Sequence, residues 1–139
     1  MVLVCGATGY TGHYVVSALV KQGVSVRCLV RNPDTRGKLA GLDVEIVAGD
    51  LERSEDVVAA LEDVDVFVNV AHIRFASSLV PLLEASGVQK SVFFSSTWRL
   101  SRFLTPEVQS VIDGERALES SALNAVILRP SMIYGPDDD

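Results

Sequence analysis

A doubly wound, parallel α/β sheet in the strand order 3-2-1-4-5-6, with helices on both faces in three α/β/α layers, is the fold class the sequence predicts. Three observations carry it. Six short apolar runs alternate with segments of helical spacing, the pattern in which helical crossovers join parallel strands. The first run, Val2-Leu3-Val4-Cys5, leads into glycines at Gly6, Gly9 and Gly12. An apolar stripe of Val15, Val16, Leu19 and Val20 then follows at helical spacing. The chain thus opens on strand, glycine turn and helix.

That turn suits a phosphate. Gly6 can take backbone angles closed to other residues, Gly9 leaves room for a pyrophosphate at the main chain, and Gly12 lets the helix pack closely on the strand. The N–H groups and positive end of the helix then face the anion. Thr8, Tyr10 and Thr11 sit around the same position, and the two threonines bring hydroxyl donors. The plainer alternative is a turn that only joins strand to helix.

The GxxGxxG spacing, present as GATGYTG, resembles the short-chain dehydrogenase/reductase superfamily. The resemblance is to its extended or atypical branch, which includes NmrA-like and nucleoside-diphosphate-sugar epimerase-like proteins. It implies a Rossmann domain over residues 1–139 and a nicotinamide dinucleotide as ligand.

Bulk composition narrows the classes. The 139 residues are 48% hydrophobic and 22% charged, enough for one domain with a real core. Eighteen Asp plus Glu against 12 Lys plus Arg argue against general nucleic-acid binding. No apolar run has membrane-spanning length, and no signal-peptide pattern precedes the first strand, so no membrane partner and a cytoplasmic location are expected. Cys5 and Cys28 lie in apolar strands without metal spacing and read as buried thiols.

The remaining elements follow in order. Gly23 ends the first helix, and Val24 to Val30 forms the second strand, closing on Arg31-Asn32-Pro33. NAD sites usually place an acidic residue there, about 20 residues past the glycines, to hold the ribose hydroxyl. Arg31 stands there instead, and its guanidinium suits a 2′-phosphate, so NADP(H) is expected over NAD(H). The resemblance agrees, since VRNP after this strand is typical of NADP-preferring atypical members. Arg27, on the same side by alternation, is either a second ligand or a surface charge. Thr35 to Gly41 is a short helix or loop, and Val44 to Val47 is the third strand, running into Gly49-Asp50-Leu51.

The resemblance implies that Asp50 accepts from the adenine amino group while Leu51 packs on the ring; otherwise Asp50 caps the next helix, a role Ser54 can also fill. That helix, Glu55 to Leu61, is read with Val57, Val58 and Leu61 inward. Val64 to Ala71 is a strand buried on both faces, and the family line implies that its end, Val70-Ala71-His72, passes beneath the cofactor ribose. His72 reads as a loop or capping residue, and no metal site is expected. Arg74 to Ser86 reads as a helix that Pro81 kinks or starts late. Ser91 to Ser95 is the fifth strand, ending in Ser95-Ser96-Thr97. Thr97 occupies the third position of the hydroxyl run, where the resembled enzymes carry an active Ser or Thr; the alternative is hydroxyls satisfied by backbone groups.

The superfamily's acid–base pair, a Tyr with a Lys four residues on, is missing. Alignment on Glu115 puts Glu107 in the Tyr place and Val111 in the Lys place. Glu107 to Ser121 is still a helix, slightly weakened by Gly114, and Ala125 to Leu128 is the sixth strand. Arg129-Pro130-Ser131 and Tyr134-Gly135-Pro136 resemble the RP-x-x-x-YGP segment of extended members, with Arg129 read as a structural pin. Family members continue beyond this point into a substrate-binding part that would begin near Asp137-Asp138-Asp139. Self-association, or a protein partner, is therefore expected where that part would pack. Three functional readings result: an oxidoreductase or epimerase-like protein capable of hydride transfer, a non-catalytic module that senses the dinucleotide and signals to a partner, and a degenerate fragment that folds and does nothing.

Overall fold

The computed structural model describes residues 1–136, with the side chains of residues 35 and 36 excepted; the expectation attached to Asp137-Asp138-Asp139 lies outside the described residues. Strand β1 (Val2–Cys5) is followed by α1 (Tyr10–Lys21), β2 (Val26–Val30), a 3-10 turn (Pro33–Leu39) and β3 (Glu45–Ala48). Next come α2 (Ser54–Ala60), β4 (Val66–Asn69), a 3-10 turn (Ile73–Phe75), α3 (Ala76–Ser86) and β5 (Lys90–Phe94). A 3-10 turn (Thr97–Leu100), α4 (Pro106–Glu119) and β6 (Ala125–Leu128) complete it. The six strands form one sheet in the order β3-β2-β1-β4-β5-β6, every pair parallel. No described helix is long and apolar enough to cross a membrane.

Alternation along the strands builds two cores. Leu3, Cys5, Leu29, Phe67 and Phe93 face α2, α3 and α4, which contribute Val57, Leu79, Leu83, Val111 and Leu118. Val4, Cys28, Val30 and Val68 face the other way, against Val16 of α1 and Leu39 of the 3-10 turn. The second layer is thinner. Val92 and Phe94 pair in register with Val126 and Leu128, and the last two remain 51% and 41% exposed because no described helix packs over that end of the sheet. Both cysteines are buried free thiols. Burial, and for Cys5 also the neighbouring Cys28, pushes them up, Cys28 to about 11, so neither is a nucleophile at neutral pH.

Several local readings change. The segment beginning at Arg74 divides into a 3-10 turn and α3, which starts at Ala76 and carries Pro81 inside it. Val58 is 55% exposed rather than inward, because the helical turn of α2 that buries Val57 and Ala60 carries it outward. The residue capping α2 is Arg53, with no side-chain bond, so neither Asp50 nor Ser54 does so. Arg27 is held within the fold. Its guanidinium donates to the carbonyls of Ala60 and Glu62 at the end of α2 and pairs with Glu45 at 3.0 Å. Gly114 also has a packing reason: a Cβ there would lie 2.3 Å from the Ile73 carbonyl oxygen, so α4 approaches the Ile73–Phe75 turn as only glycine allows.

Candidate functional site

The carboxyl ends of β1, β2, β3 and β4 open on a cavity of about 600 Å³, within the usual range for small-ligand sites. The glycine turn forms its floor. Gly6 has φ +81°, and a Cβ on it would lie 2.7 Å from the Ala71 nitrogen. The Gly9 N–H donates to the Gly6 carbonyl at 3.1 Å, and Gly9 begins α1 with no side-chain cap. The first turn of α1 holds no acidic residue, so no carboxylate in that turn offsets its positive end.

All ten dinucleotide residues chosen from sequence line this one cavity: Gly6, Thr8, Gly9, Tyr10, Thr11 and Gly12 in the turn, Arg31 after β2, Asp50 and Leu51 after β3, and Ala71 after β4. Arg31 is exposed at the strand end. The Asp50 N–H donates to Asp56 Oδ2 at 2.8 Å, and Asp50 Oδ1 accepts the Glu52 N–H at 3.0 Å. Asp50 therefore shapes the loop before α2, with Oδ2 unbonded among the described residues. Two lining residues, Glu52 and Arg74, carried no local sequence signal. Arg74 lies 4.6 Å over the Phe75 ring and reaches Glu52 at 3.7 Å, an ion pair joining the loops after β3 and β4.

A smaller cavity of about 140 Å³ adjoins it at the ends of β4 and β5, lined by Ser95, Ser96, Val111, Pro130 and Ile133 among others. Val111, in the place of the family's lysine, gives it an apolar wall. Glu107, in the tyrosine place, is exposed on the first turn of α4. Thr97 is exposed and lines neither cavity; its N–H donates to the Pro130 carbonyl at 3.2 Å. His72 caps the Ile73–Phe75 turn, its Nδ1 accepting the Arg74 N–H at 3.0 Å.

Behind Ser95 lies a fully buried carboxylate. Glu115 is 0% exposed, accepts from Arg129 Nε at 2.9 Å and from its terminal nitrogen at 2.8 Å, and pairs with Arg99 at 3.1 Å. Ser95 Oγ donates to it at 2.5 Å. Burial alone would push this carboxyl up, but the hydrogen bonds from Arg129 and Ser95, with the charges of Arg129 and Arg99, outweigh burial and hold it below its usual range. Arg129 is thus the pin the sequence suggested: it ties the end of β6 to α4.

A protein-family profile described as NAD(P)H-binding matches residues 6–139. The chain is 30% identical over 152 residues to a ceramide reductase of Caulobacter vibrioides, covering 99% of this chain and 48% of that protein. It is 27% identical over 143 residues to the photosystem II assembly factor Ycf39 of Cyanophora paradoxa, covering 92% of this chain and 44% of that one. Among solved structures, a short-chain dehydrogenase/reductase superfamily protein from Agrobacterium tumefaciens with bound NAD superposes with a TM-score of 0.75 at 26% identity, over 93% of this chain and 48% of that one. The chain spans about half the length of the curated relatives it matches.

Proposed function

The chain belongs to this NAD(P)H-binding family, and from that premise we propose that it binds NADP(H) in preference to NAD(H) and supports hydride transfer of the atypical short-chain type. The observation that carries the proposal is the convergence of the glycine turn, Arg31, Asp50, Leu51 and Ala71 on one cavity at the carboxyl ends of the strands. In this reading the turn and the first turn of α1 hold the pyrophosphate, Arg31 holds the 2′-phosphate, and Asp50 and Leu51 hold adenine. The nicotinamide half enters the smaller cavity. When bound, the nicotinamide supplies the hydride. Thr97, one residue past the lining Ser96, meets the substrate side, and the proton comes from solvent because Glu107 and Val111 replace the acid pair.

Replacing Arg31 tests the cofactor preference. Arg31→Ala is expected to weaken NADPH binding by about ten- to a hundredfold, the loss of charge-assisted hydrogen bonds, and to leave NADH affinity within about twofold. Parallel calorimetric titrations check this. Equal losses for both cofactors would sink the assignment of Arg31 to the 2′-phosphate.

A second reading, a dinucleotide-sensing module that acts through a protein partner or a second copy, is favoured by the apolar Val111 wall and the uncovered Val126 and Leu128 face. It predicts self-association at micromolar concentration by sedimentation velocity, reversed by Leu128→Glu. A monomer at every concentration tested would count against a second copy as the partner.

A further inference from the structure

Most of the large apolar side chains left exposed among the described residues lie in two segments. Trp98, Leu100 and Phe103 follow β5, and Met132, Ile133 and Tyr134 follow β6, with Phe103 82% and Tyr134 81% exposed. The segments start side by side at the carboxyl end of the sheet. The Ser95 N–H donates to the Leu128 carbonyl at 2.7 Å, and the Thr97 N–H to the Pro130 carbonyl at 3.2 Å. Both segments reach the smaller cavity: Ser96, Pro130 and Ile133 line it, and the Trp98 N–H donates to Ser96 Oγ at 3.2 Å. Exposed apolar side chains that border a cavity mark a binding surface.

Charge decides which ligand suits it. No Asp, Glu, Lys or Arg lines the smaller cavity. Burial, and then the charge of Arg74, hold the lining His72 below the ordinary imidazole range, so that ring is neutral at pH 7. The nearby arginines are committed elsewhere. Arg99 and Arg129 both pair with the buried Glu115, at 3.1 and 2.8 Å, which leaves the exposed Arg102 as the one arginine of these segments outside that cluster. The start of α4 offers no anion cradle either. Pro106 has no N–H, Thr105 Oγ accepts the Val108 N–H at 3.3 Å, and Glu107 stands in the first turn. A diphosphate, such as that of a nucleotide sugar, would meet a single uncommitted cation and an acidic helix start.

We infer that the substrate of this site is an uncharged, apolar carbonyl compound, a ketone or a quinone, received between the segments after β5 and β6, and not a nucleotide sugar. This substrate class rests on the hydride-transfer reading above. A ketone takes the hydride of NADPH on its carbonyl carbon and a solvent proton on its oxygen, giving an alcohol and NADP+; a quinone takes the same hydride and proton and becomes a hydroquinone. Placing a neutral carbonyl against Trp98 and Phe103 costs little desolvation, whereas stripping water from unpartnered phosphate charges is costly. Val111 suits the same class, as an apolar wall that demands no polar partner.

The test titrates the NADP+-saturated chain, in which no hydride is available, with two probes by calorimetry. One is duroquinone, an uncharged quinone with no free ring position for thiol addition, and the other is UDP-glucose. Duroquinone is expected to bind at least about tenfold more tightly than UDP-glucose. Trp98→Ala and Phe103→Ala are each expected to weaken duroquinone by about five- to tenfold, the loss of part of one aromatic contact, and to leave NADP+ affinity within about twofold. Val58→Ala removes an exposed apolar side chain from α2 and should change neither. Preference for UDP-glucose, equal binding of the two probes, or duroquinone binding untouched by both aromatic substitutions overturns the inference. Failure of the chain to bind NADP+ would instead overturn the dinucleotide reading, and duroquinone bound at this surface without oxidising NADPH would overturn hydride transfer.

Discussion

Arg129→Ala is expected to destabilise the folded chain by roughly 3 kcal/mol at pH 7, because it leaves a buried carboxylate short of its main counter-charge. Glu115 is 0% exposed, and Arg129 supplies two of its hydrogen bonds while remaining 41% exposed itself. The two partners are therefore unequal: the cation can return to water, whereas the anion cannot. Urea unfolding at pH 7 measures the loss, and acid gives its signature. The folded carboxyl titrates below its unfolded value, which is about 4.3. Its contribution is thus full above that pH and is lost as pH falls through the folded value. The gap between parent and Arg129→Ala should narrow over the same window. A gap of constant size from pH 7 to pH 3 would show that Arg129 acts through packing rather than through this carboxylate.

Gly12→Ala is expected to abolish dinucleotide binding and to cost roughly 3 kcal/mol of stability, the upper range for an overpacked site. A Cβ at Gly12 would stand 1.9 Å from the Gly6 carbonyl oxygen and 2.9 Å from the Ala7 Cα. Both are backbone atoms, and relieving the clash must open the turn or lift α1 from β1. The turn that would hold the pyrophosphate is the part that moves. Gly37→Ala is the control, since a Cβ there meets nothing within 4 Å, and it should change stability by no more than about 0.5 kcal/mol. Thermal unfolding and NADPH calorimetry on both variants test this; normal binding by Gly12→Ala would refute the role given to the turn.

Much of this architecture was legible because its signals are local. The apolar runs that became β1, β2, β4 and β5 lie within a parallel sheet and need apolar residues toward both helix layers. The turn from Gly6 to Gly12 fixes where strand gives way to helix, and the sheet topology then brings Arg31, Asp50 and Ala71 to the same edge. The contacts that the sequence did not show are set by distant parts of the chain. Arg27 answers to the last carbonyls of α2, and Gly114 to the Ile73 carbonyl. Arg74 meets Glu52 only because the loops after β3 and β4 are neighbours in space. Val58 was a matter of phase in a seven-residue helix, too short for periodicity to choose between adjacent valines. The expectation for Thr97 came from its position in a hydroxyl run; in the structure that residue begins the Thr97–Leu100 3-10 turn.

The central claim is that the cavity over the glycine turn binds NADP(H). Its most direct test is a titration of the chain with NADPH and, separately, NADH, followed by the fluorescence of the single Trp98, which lies beside Thr97 at the end of β5, and confirmed by calorimetry. Saturable binding of NADPH, at least about tenfold tighter than NADH, is the predicted result. Absent binding of both would contradict the account and reduce the glycine turn to architecture; binding of both with equal affinity would contradict the role of Arg31.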